Sequence, residues 1–321
     1  MNTTITPERE RWLAERRTGI GGSDAGAILG LSPWATPVSV WLDKTGRAGP
    51  KPDSEAMRLG TVLEGYVADR YTEETGRAVE AFPVMLHRGC LLGNYDRLVV
   101  PSGGGNAAQG EVVVTDTLLE CKTSSAFGWD DGVPPQYVAQ VMHYMGLSPS
   151  LQHTDVACLF INAKRFEVFR VERDDEVIAS MQAQLAEWWE RYVVADTPPP
   201  PSNESDCRLL WARSNPGKSV AATEEVVGKL AKYRDAEAQI KVLEAESQKA
   251  KDEICAFMED AEVLVGPDGK PLLTWKSSKD SSKVDWEGVA RSLGAGEEVI
   301  AAHTVVKAGS RRFTPKAVKS A

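Results

Sequence analysis

The chain has 321 residues, 42% of them hydrophobic, which suffices to bury a full core in one large domain or two smaller ones. A net charge of −9 argues against a protein that coats nucleic acid non-specifically. Its five cysteines (Cys90, Cys121, Cys158, Cys207 and Cys255) form no C-x-x-C pair, against zinc, an iron–sulfur cluster or a disulfide framework.

In chain order, Thr6-Pro7 opens a predicted short helix ending near Arg17. The segment "TGIGGSDAGAILG" follows, a glycine-rich turn leading into a helix capped by Ser23 or Asp24. Further helices are expected from Thr36-Pro37 to Gly46 and from Ser54 to Gly76, the latter with Leu59, Leu63, Tyr66, Val67 and Tyr71 on its apolar side. Strands are expected at 79–86, 91–100 and 111–122, with "PSGGGNAAQG" an exposed tip between the last two. A helix at 134–147, strands at 154–161 and 165–172, and a long helix at 174–194 complete a first domain of residues 1–195.

"ADTPPPPSNES" predicts a stiff linker over 196–205, followed by an extension over 206–321. That extension reads as a long helix over 223–260, then a β-hairpin turning at "PDG" and a basic tail. In the helix, Ile240, Leu243, Ser247, Ala250, Ile254 and Phe257 form a seam for a partner helix, or the inner face of one arm of a helical hairpin. Residues 270–321 hold ten Lys/Arg against five Asp/Glu, so Arg311 and Arg312 are candidates for tracking a phosphate backbone. The charged N-terminus and the lack of a long apolar run predict neither a signal peptide nor a membrane span, and a cytoplasmic location.

The chemistry is carried by "TLLECKTSS", residues 117–125. On a strand, Glu120 and Lys122 share one face and Cys121 takes the other. An ordinary ion pair explains Glu120 and Lys122 taken alone. Asp96, however, interrupts an apolar strand twenty-four residues earlier, and a carboxylate there is costly unless paired or bound to a cation. Two carboxylates on neighbouring strands, with a main-chain carbonyl nearby, are the hard oxygen ligands that suit Mg²⁺ or Mn²⁺. Lys122 is placed to orient or deprotonate a water, and phosphodiester hydrolysis is the natural chemistry. Glu64 lies at the rim of its helix's apolar face, within reach of a water on the metal. Gln140 borders the core and wants a partner in the site.

The order helix-Glu, strand-Asp, strand-E-x-K, helix-Gln resembles the PD-(D/E)XK nuclease core. With "RRTGIGGSDAGAILGLSPWATPVSVWLDKTG" in front, residues 10–195 resemble the lambda-exonuclease/YqaJ group of viral recombinases. The resemblance implies an α/β fold with a mixed central sheet flanked by helices, and a Mg²⁺-dependent exonuclease acting from the 5′ end of double-stranded DNA. It implies Asp96, Glu120 and the Cys121 carbonyl as metal ligands, Lys122 as the catalytic lysine, Glu64 as the first-helix acid and Gln140 as the glutamine that orders the site. Arg17, Gly22 and Ser23 would hold a 5′-phosphate, with main-chain amides at the helix start contributing. It further implies a ring-shaped homo-oligomer such as a trimer, and leaves room for a single-strand annealing partner.

Tyr95 stands where the pattern has proline, and Glu80 is the nearest candidate for a further acid upstream of Asp96. Trp188 and Trp189 are expected in the core. Trp34 and Trp41 are left between core packing and contact with a DNA end. Two rival readings remain: a structure-specific or restriction-like endonuclease on the same core, and a non-catalytic DNA-end scaffold. A glycine-rich phosphate anchor disfavours the first, since a cut inside a duplex needs no terminal phosphate. The intact set Glu64, Asp96, Glu120, Lys122 and Gln140 disfavours the second.

Overall fold

The computed structural model describes residues 7–49, 54–125 and 128–305. Arg311, Arg312 and the helix cap expected at Thr6 lie outside the described residues. The chain divides into two units, Met1–Arg213 and Ser214–Ala321.

The first unit opens with four helices, α1 (Pro7–Arg16), α2 (Gly22–Ile28), α3 (Pro37–Lys44) and α4 (Glu55–Thr75). Local chemistry explains their ends. Thr36 caps α3 by accepting from the Ser39 N–H at 3.2 Å, and Ser54 caps α4 by accepting from Met57 at 3.2 Å. Gly76 closes α4 at φ 69°, a conformation that costs glycine least. Short strands follow: β1 (Val79–Glu80), β2 (Leu86–Arg88), β3 (Leu91–Gly93), β4 (Arg97–Val99), β5 (Ala108–Gln109) and β6 (Val112–Val113). Then come β7 (Thr117–Ser124), α5 (Pro135–Leu147), β8 (His153–Phe160), β9 (Arg165–Glu172), α6 (Asp175–Trp188) with a π-helical continuation Trp189–Val194, and α7 (Glu204–Leu210).

The central sheet has the order β1-β4-β7-β8-β9, with β7 and β8 parallel across the α5 crossover and the other pairs antiparallel. This is the mixed sheet flanked by helices expected from the sequence. One face packs Leu98, Leu118, Val156 and Phe160 into the larger core with α5 and α6 residues such as Val141, Met145 and Leu185. The other packs Val99, Leu119 and Ala157 against Val67, Ala68 and Tyr71 of α4. Leu59 and Tyr66, expected on the apolar side of α4, are exposed.

The strands predicted at 79–86 and 91–100 are broken into short pieces, and the one at 111–122 divides into β6 and β7. The run expected at 91–100 is interrupted at Asn94, Tyr95 and Asp96, because the Asp96 carboxylate, at 2.8 Å, takes the Cys121 N–H that a continued ladder would pair with a main-chain carbonyl.

The expected linker and domain start also differ in place. Asp206 on α7 is buried, accepts from the Thr36 hydroxyl at 2.6 Å and from the Ser202 N–H at 2.8 Å. Residues 204–210 therefore lie with the first unit, and the division falls between Arg213 and Ser214.

In the second unit, α8 (Glu224–Met258) is followed by the hairpin of β10 (Val263–Val265) and β11 (Pro271–Thr274), then α9 (Trp286–Ser292) and α10 (Glu297–Ala302). Gly269 of the "PDG" turn sits at φ 77°. Of α8, Met258 alone is buried among the described residues. No helix among the described residues is long and apolar enough to cross a membrane.

Candidate active site

The site forms where β4 begins, beside the middle of β7. Arg97 pairs with Leu119, so Asp96 comes one step before that pair and Glu120 one step after it, on facing strands. Alternation along β7 sends Leu118, Glu120 and Lys122 toward α5, and Leu119 and Cys121 toward α4.

Glu120 is 1% exposed. Its Oε1 accepts from Lys122 Nζ at 2.5 Å and from Gln140 Nε2 at 2.6 Å. Lys122 also donates to Gln140 Oε1 at 3.2 Å, which closes a three-membered ring of contacts. Gln140 reaches it because α5 places residue 140 on the sheet side, where Nε2 also meets the Tyr144 hydroxyl at 3.3 Å. Glu120 Oε2, by contrast, is buried with no hydrogen-bond partner. A buried carboxylate oxygen without a donor is unfavourable by about 1–3 kcal/mol or more.

The charges are unbalanced as well. Burial first, and then the Glu120 charge, push the Asp96 carboxyl well above the usual carboxylate range. Burial pulls the Lys122 ammonium down, but the charges of Glu120 and Asp96 outweigh it and hold its pKa above the ordinary lysine value. Two carboxylates facing one lysine, with a free buried oxygen, fit a divalent cation. Among the described residues no three His, Cys, Asp or Glu side chains converge as a metal-binding group. A cation here would therefore draw its side-chain oxygens from Asp96 and Glu120, completed by main-chain oxygen or water.

Glu64 is paired with an arginine, and its charge also bears on the Asp96 carboxyl. Its Oε1 accepts from Arg97 Nη1 at 2.7 Å, on the α4 side of the sheet, and Arg97 also donates to the Asp96 carbonyl. Residues 96 and 97 point to opposite faces, so Arg97 ties α4 to the strand end that carries Asp96. Glu80 likewise serves the loop: its Oε2 accepts the Ala107 N–H at 3.0 Å.

The glycine-rich segment lies on the far side of Tyr144. A small pocket of about 100 Å³ is lined by Trp12, Arg16, Gly21, Gly22, Ser23, Asn94 and Tyr144, among others. Arg16, the neighbour of the expected Arg17, is the arginine that lines it. Arg17 is exposed, whereas Arg16 Nη2 donates to Ser23 Oγ at 3.2 Å and to Asp24 Oδ1 at 3.5 Å. Arg16 ends α1, and one position along a helix turns a side chain by about 100°. The cap of α2 is Gly21, with its N–H donated to Asp24 Oδ2 at 2.9 Å.

Asp24 is held in turn by Lys44, whose buried Nζ lies 2.6 Å from Asp24 Oδ2 and 2.8 Å from the Arg16 carbonyl. That ion pair joins α1, α2 and α3, and no local pattern announces it. Gly22 has a further role: a Cβ there would stand 2.6 Å from the Tyr144 ring and 2.9 Å from Gln140 Cγ. Tyr144 thus lines the pocket on one side and meets Gln140, the partner of Glu120, on the other.

Of the remaining residues, Trp41 is buried and donates to the Tyr192 carbonyl at 2.9 Å, so it belongs to the core. Trp188 is buried and Trp189 half-buried, as expected. Tyr95 is buried, its hydroxyl 2.8 Å from the Tyr144 carbonyl. A cavity of about 650 Å³ among Leu29, Val138, Met142 and Met181 is apolar and holds none of the site carboxylates.

A family model described as a YqaJ-like viral recombinase domain matches residues 11–150. The protein YqaJ of Bacillus subtilis (strain 168), described as uncharacterized, is 33% identical over 267 residues, 79% of each chain. Among solved structures, an alkaline exonuclease (LHK-Exo) from Laribacter hongkongensis is similar at TM-score 0.45 and 20% identity, over 58% of this chain and 93% of that one. A phage related exonuclease from Haemophilus somnus 129PT is similar at TM-score 0.40 and 11% identity, over 58% of this chain and all of that one.

Proposed function

The chain belongs to the YqaJ-like viral recombinase family, and from that premise we propose that it is a metal-dependent nuclease of linear double-stranded DNA. In this reading it hydrolyses phosphodiesters from the 5′ end and leaves 3′ single strands for phage-type recombination. The observation that carries the proposal is Glu120 Oε2, buried without a donor beside Lys122 and across the strand pair from Asp96.

Mg²⁺ or Mn²⁺ would be held by the Asp96 and Glu120 carboxylates, with the Cys121 carbonyl as a third ligand. When bound, the cation supplies positive charge against the phosphodiester and activates water. Lys122 donates to the incoming oxygen and orients it, while Gln140 holds Glu120 and Lys122 at their working separation. Glu64 acts through Arg97, which anchors the strand end at Asp96. Arg16, Ser23 and the turn at Gly21 and Gly22 hold the terminal phosphate, with Arg16 replacing Arg17 in that role. A ring-forming homo-oligomer and a single-strand annealing partner belong to the same reading and rest on the family resemblance.

The test is digestion of linear duplex DNA carrying a 5′-phosphate, with Mg²⁺ or with EDTA, beside a covalently closed circle. Loss of the linear form alone, only with the metal and starting from the 5′ end, is the expected result. Nicking of the circle would replace the exonuclease with an endonuclease. No cleavage with Mg²⁺ or Mn²⁺ would leave a DNA-end scaffold.

A further inference from the structure

A row of aromatic rings leads from the core to the surface beside the active site. Trp129 is buried and packs on Phe160 and Phe169. Its ring centroid lies 5.6 Å from that of half-buried Tyr137, which in turn lies 6.1 Å from that of Trp34. Lys122 Nζ sits over the Tyr137 ring, 4.8 Å from its centroid. The row therefore passes directly beneath the lysine of the site.

Trp34 is 68% exposed. An indole gains most of its stabilisation from burial, so holding one in solvent forgoes free energy that the fold uses at Trp41, Trp129 and Trp188. The ring is also presented by an ordered segment. Ser32 Oγ accepts from the N–H groups of Trp34 and Ala35 at 3.3 Å each, and Thr36, two residues on, is the α3 cap. A flat, pre-positioned aromatic face costs little further ordering when a ligand stacks on it.

We propose that Trp34, backed by Tyr137, is a stacking platform for an unpaired nucleobase of the strand whose phosphodiester lies at Glu120 and Lys122. The proposal rests on the nuclease reading for what occupies Lys122, and adds which part of the nucleotide is gripped. Every base offers a π-face, so the platform holds the strand without selecting sequence. It requires the base to have left its pair, so the substrate at this position is a single-stranded nucleotide. The backbone phosphate meets the lysine and carboxylates while its base meets the indole, two contacts of different chemistry on one ligand.

The experiment pairs removal of the indole with removal of the base. Linear duplexes with a 5′-phosphate carry an abasic residue at the first, second or third nucleotide from the attacked end. Single-turnover cleavage with Mg²⁺ is followed for the full chain, Trp34→Ala and Trp34→Phe. Trp34→Ala is expected to slow intact DNA by about tenfold, the order of one base–aromatic stack, and Trp34→Phe to recover most of the rate. At one position the abasic residue should slow the unsubstituted protein by a similar factor, and the two losses should not multiply.

Equal rates for Trp34→Ala and the unsubstituted protein would overturn the proposal, as would losses that multiply at every position. A second arm is free of catalysis: anisotropy of a fluorescein-labelled single-stranded oligonucleotide in EDTA, intact or with one abasic residue, against Lys122→Ala with and without Trp34→Ala. Weaker binding on loss of either the indole or the base supports the platform, and affinities indifferent to Trp34 overturn it. If the unsubstituted protein cleaves no linear DNA, the nuclease reading fails while this arm still decides the role of Trp34. A change in molar mass on Trp34→Ala, with DNA handling unaltered, would make the ring a protein contact and overturn the proposal too.

Discussion

Asp155 and Glu120 sit on the neighbouring strands β8 and β7, at 3% and 1% exposure, and their surroundings are opposite. Asp155 receives Arg170 through Nε at 2.8 Å and Nη2 at 3.1 Å, Arg77 at 3.0 Å and the Tyr71 hydroxyl at 2.7 Å. Burial raises its pKa, but the hydrogen bonds from Arg170 and Tyr71 and the charges of both arginines outweigh it, holding the carboxyl below its usual value. Around Glu120 two carboxylates face one lysine, one oxygen has no donor, and the Asp96 carboxyl is pushed up. A buried carboxylate that the fold satisfies fastens α4 to the sheet. One that the fold leaves short is suited to a cation it does not itself supply.

The sharpest way to break this contrast is to remove the charge on the short side. Lys122→Ala should lower DNA cleavage per folded molecule by about 10²–10⁴-fold, the range for a positioned proton-handling group. Cleavage retained within tenfold would move the chemistry elsewhere.

The satisfied side should respond in the other currency, stability. Asp155→Asn leaves two arginines facing a neutral amide and should cost about 3 kcal/mol in urea unfolding, at the low end for a broken buried pair because Arg170 is half exposed. Cleavage per folded molecule should be unchanged. Because the folded pKa of Asp155 is depressed, its stabilisation is complete above the unfolded value near ~3.9 and is lost as pH falls through the folded one. Acid titration below about pH 4 should therefore destabilise Asp155→Asn less steeply than the unsubstituted protein.

A smaller effect should separate the two clusters by metal. Mg²⁺ at a hundredfold excess over its dissociation constant should stabilise the protein by about 2.7 kcal/mol. Calorimetry should show that gain abolished in Glu120→Gln and kept in Asp155→Asn. The smallest expected effect concerns the glycine-rich turn. Arg16→Ala should reduce the preference for 5′-phosphorylated over 5′-hydroxyl ends by about tenfold, the order of one charge-assisted hydrogen bond. Arg17→Ala should change it little, and the reverse result would restore the sequence assignment.

Much of the scaffold was legible because its signals are local. Thr36-Pro37 and Ser54 mark where α3 and α4 begin, and Gly76 and Gly269 mark turns that need positive φ. Two-residue alternation placed Glu120 and Lys122 on one face of β7, and helical spacing placed Gln140 on the sheet side of α5. The strand run around Asp96 misled, because hydropathy cannot register that one carboxylate will replace a ladder carbonyl. Arg16 and Arg17 are equivalent in composition and differ only in the direction they leave the end of α1.

The sequence by itself determined the elements, the alternating faces and the identity of the residues that meet at β7, since these follow from spacing along the chain and from family resemblance. The tertiary structure decided which charges are satisfied. Arg97 paired with Glu64, Lys44 secured Asp24, and Arg77 and Arg170 closed around Asp155, in each case from segments distant in sequence. Electrostatic balance in a low-dielectric interior depends on distances between such segments, and no periodicity along the chain encodes them.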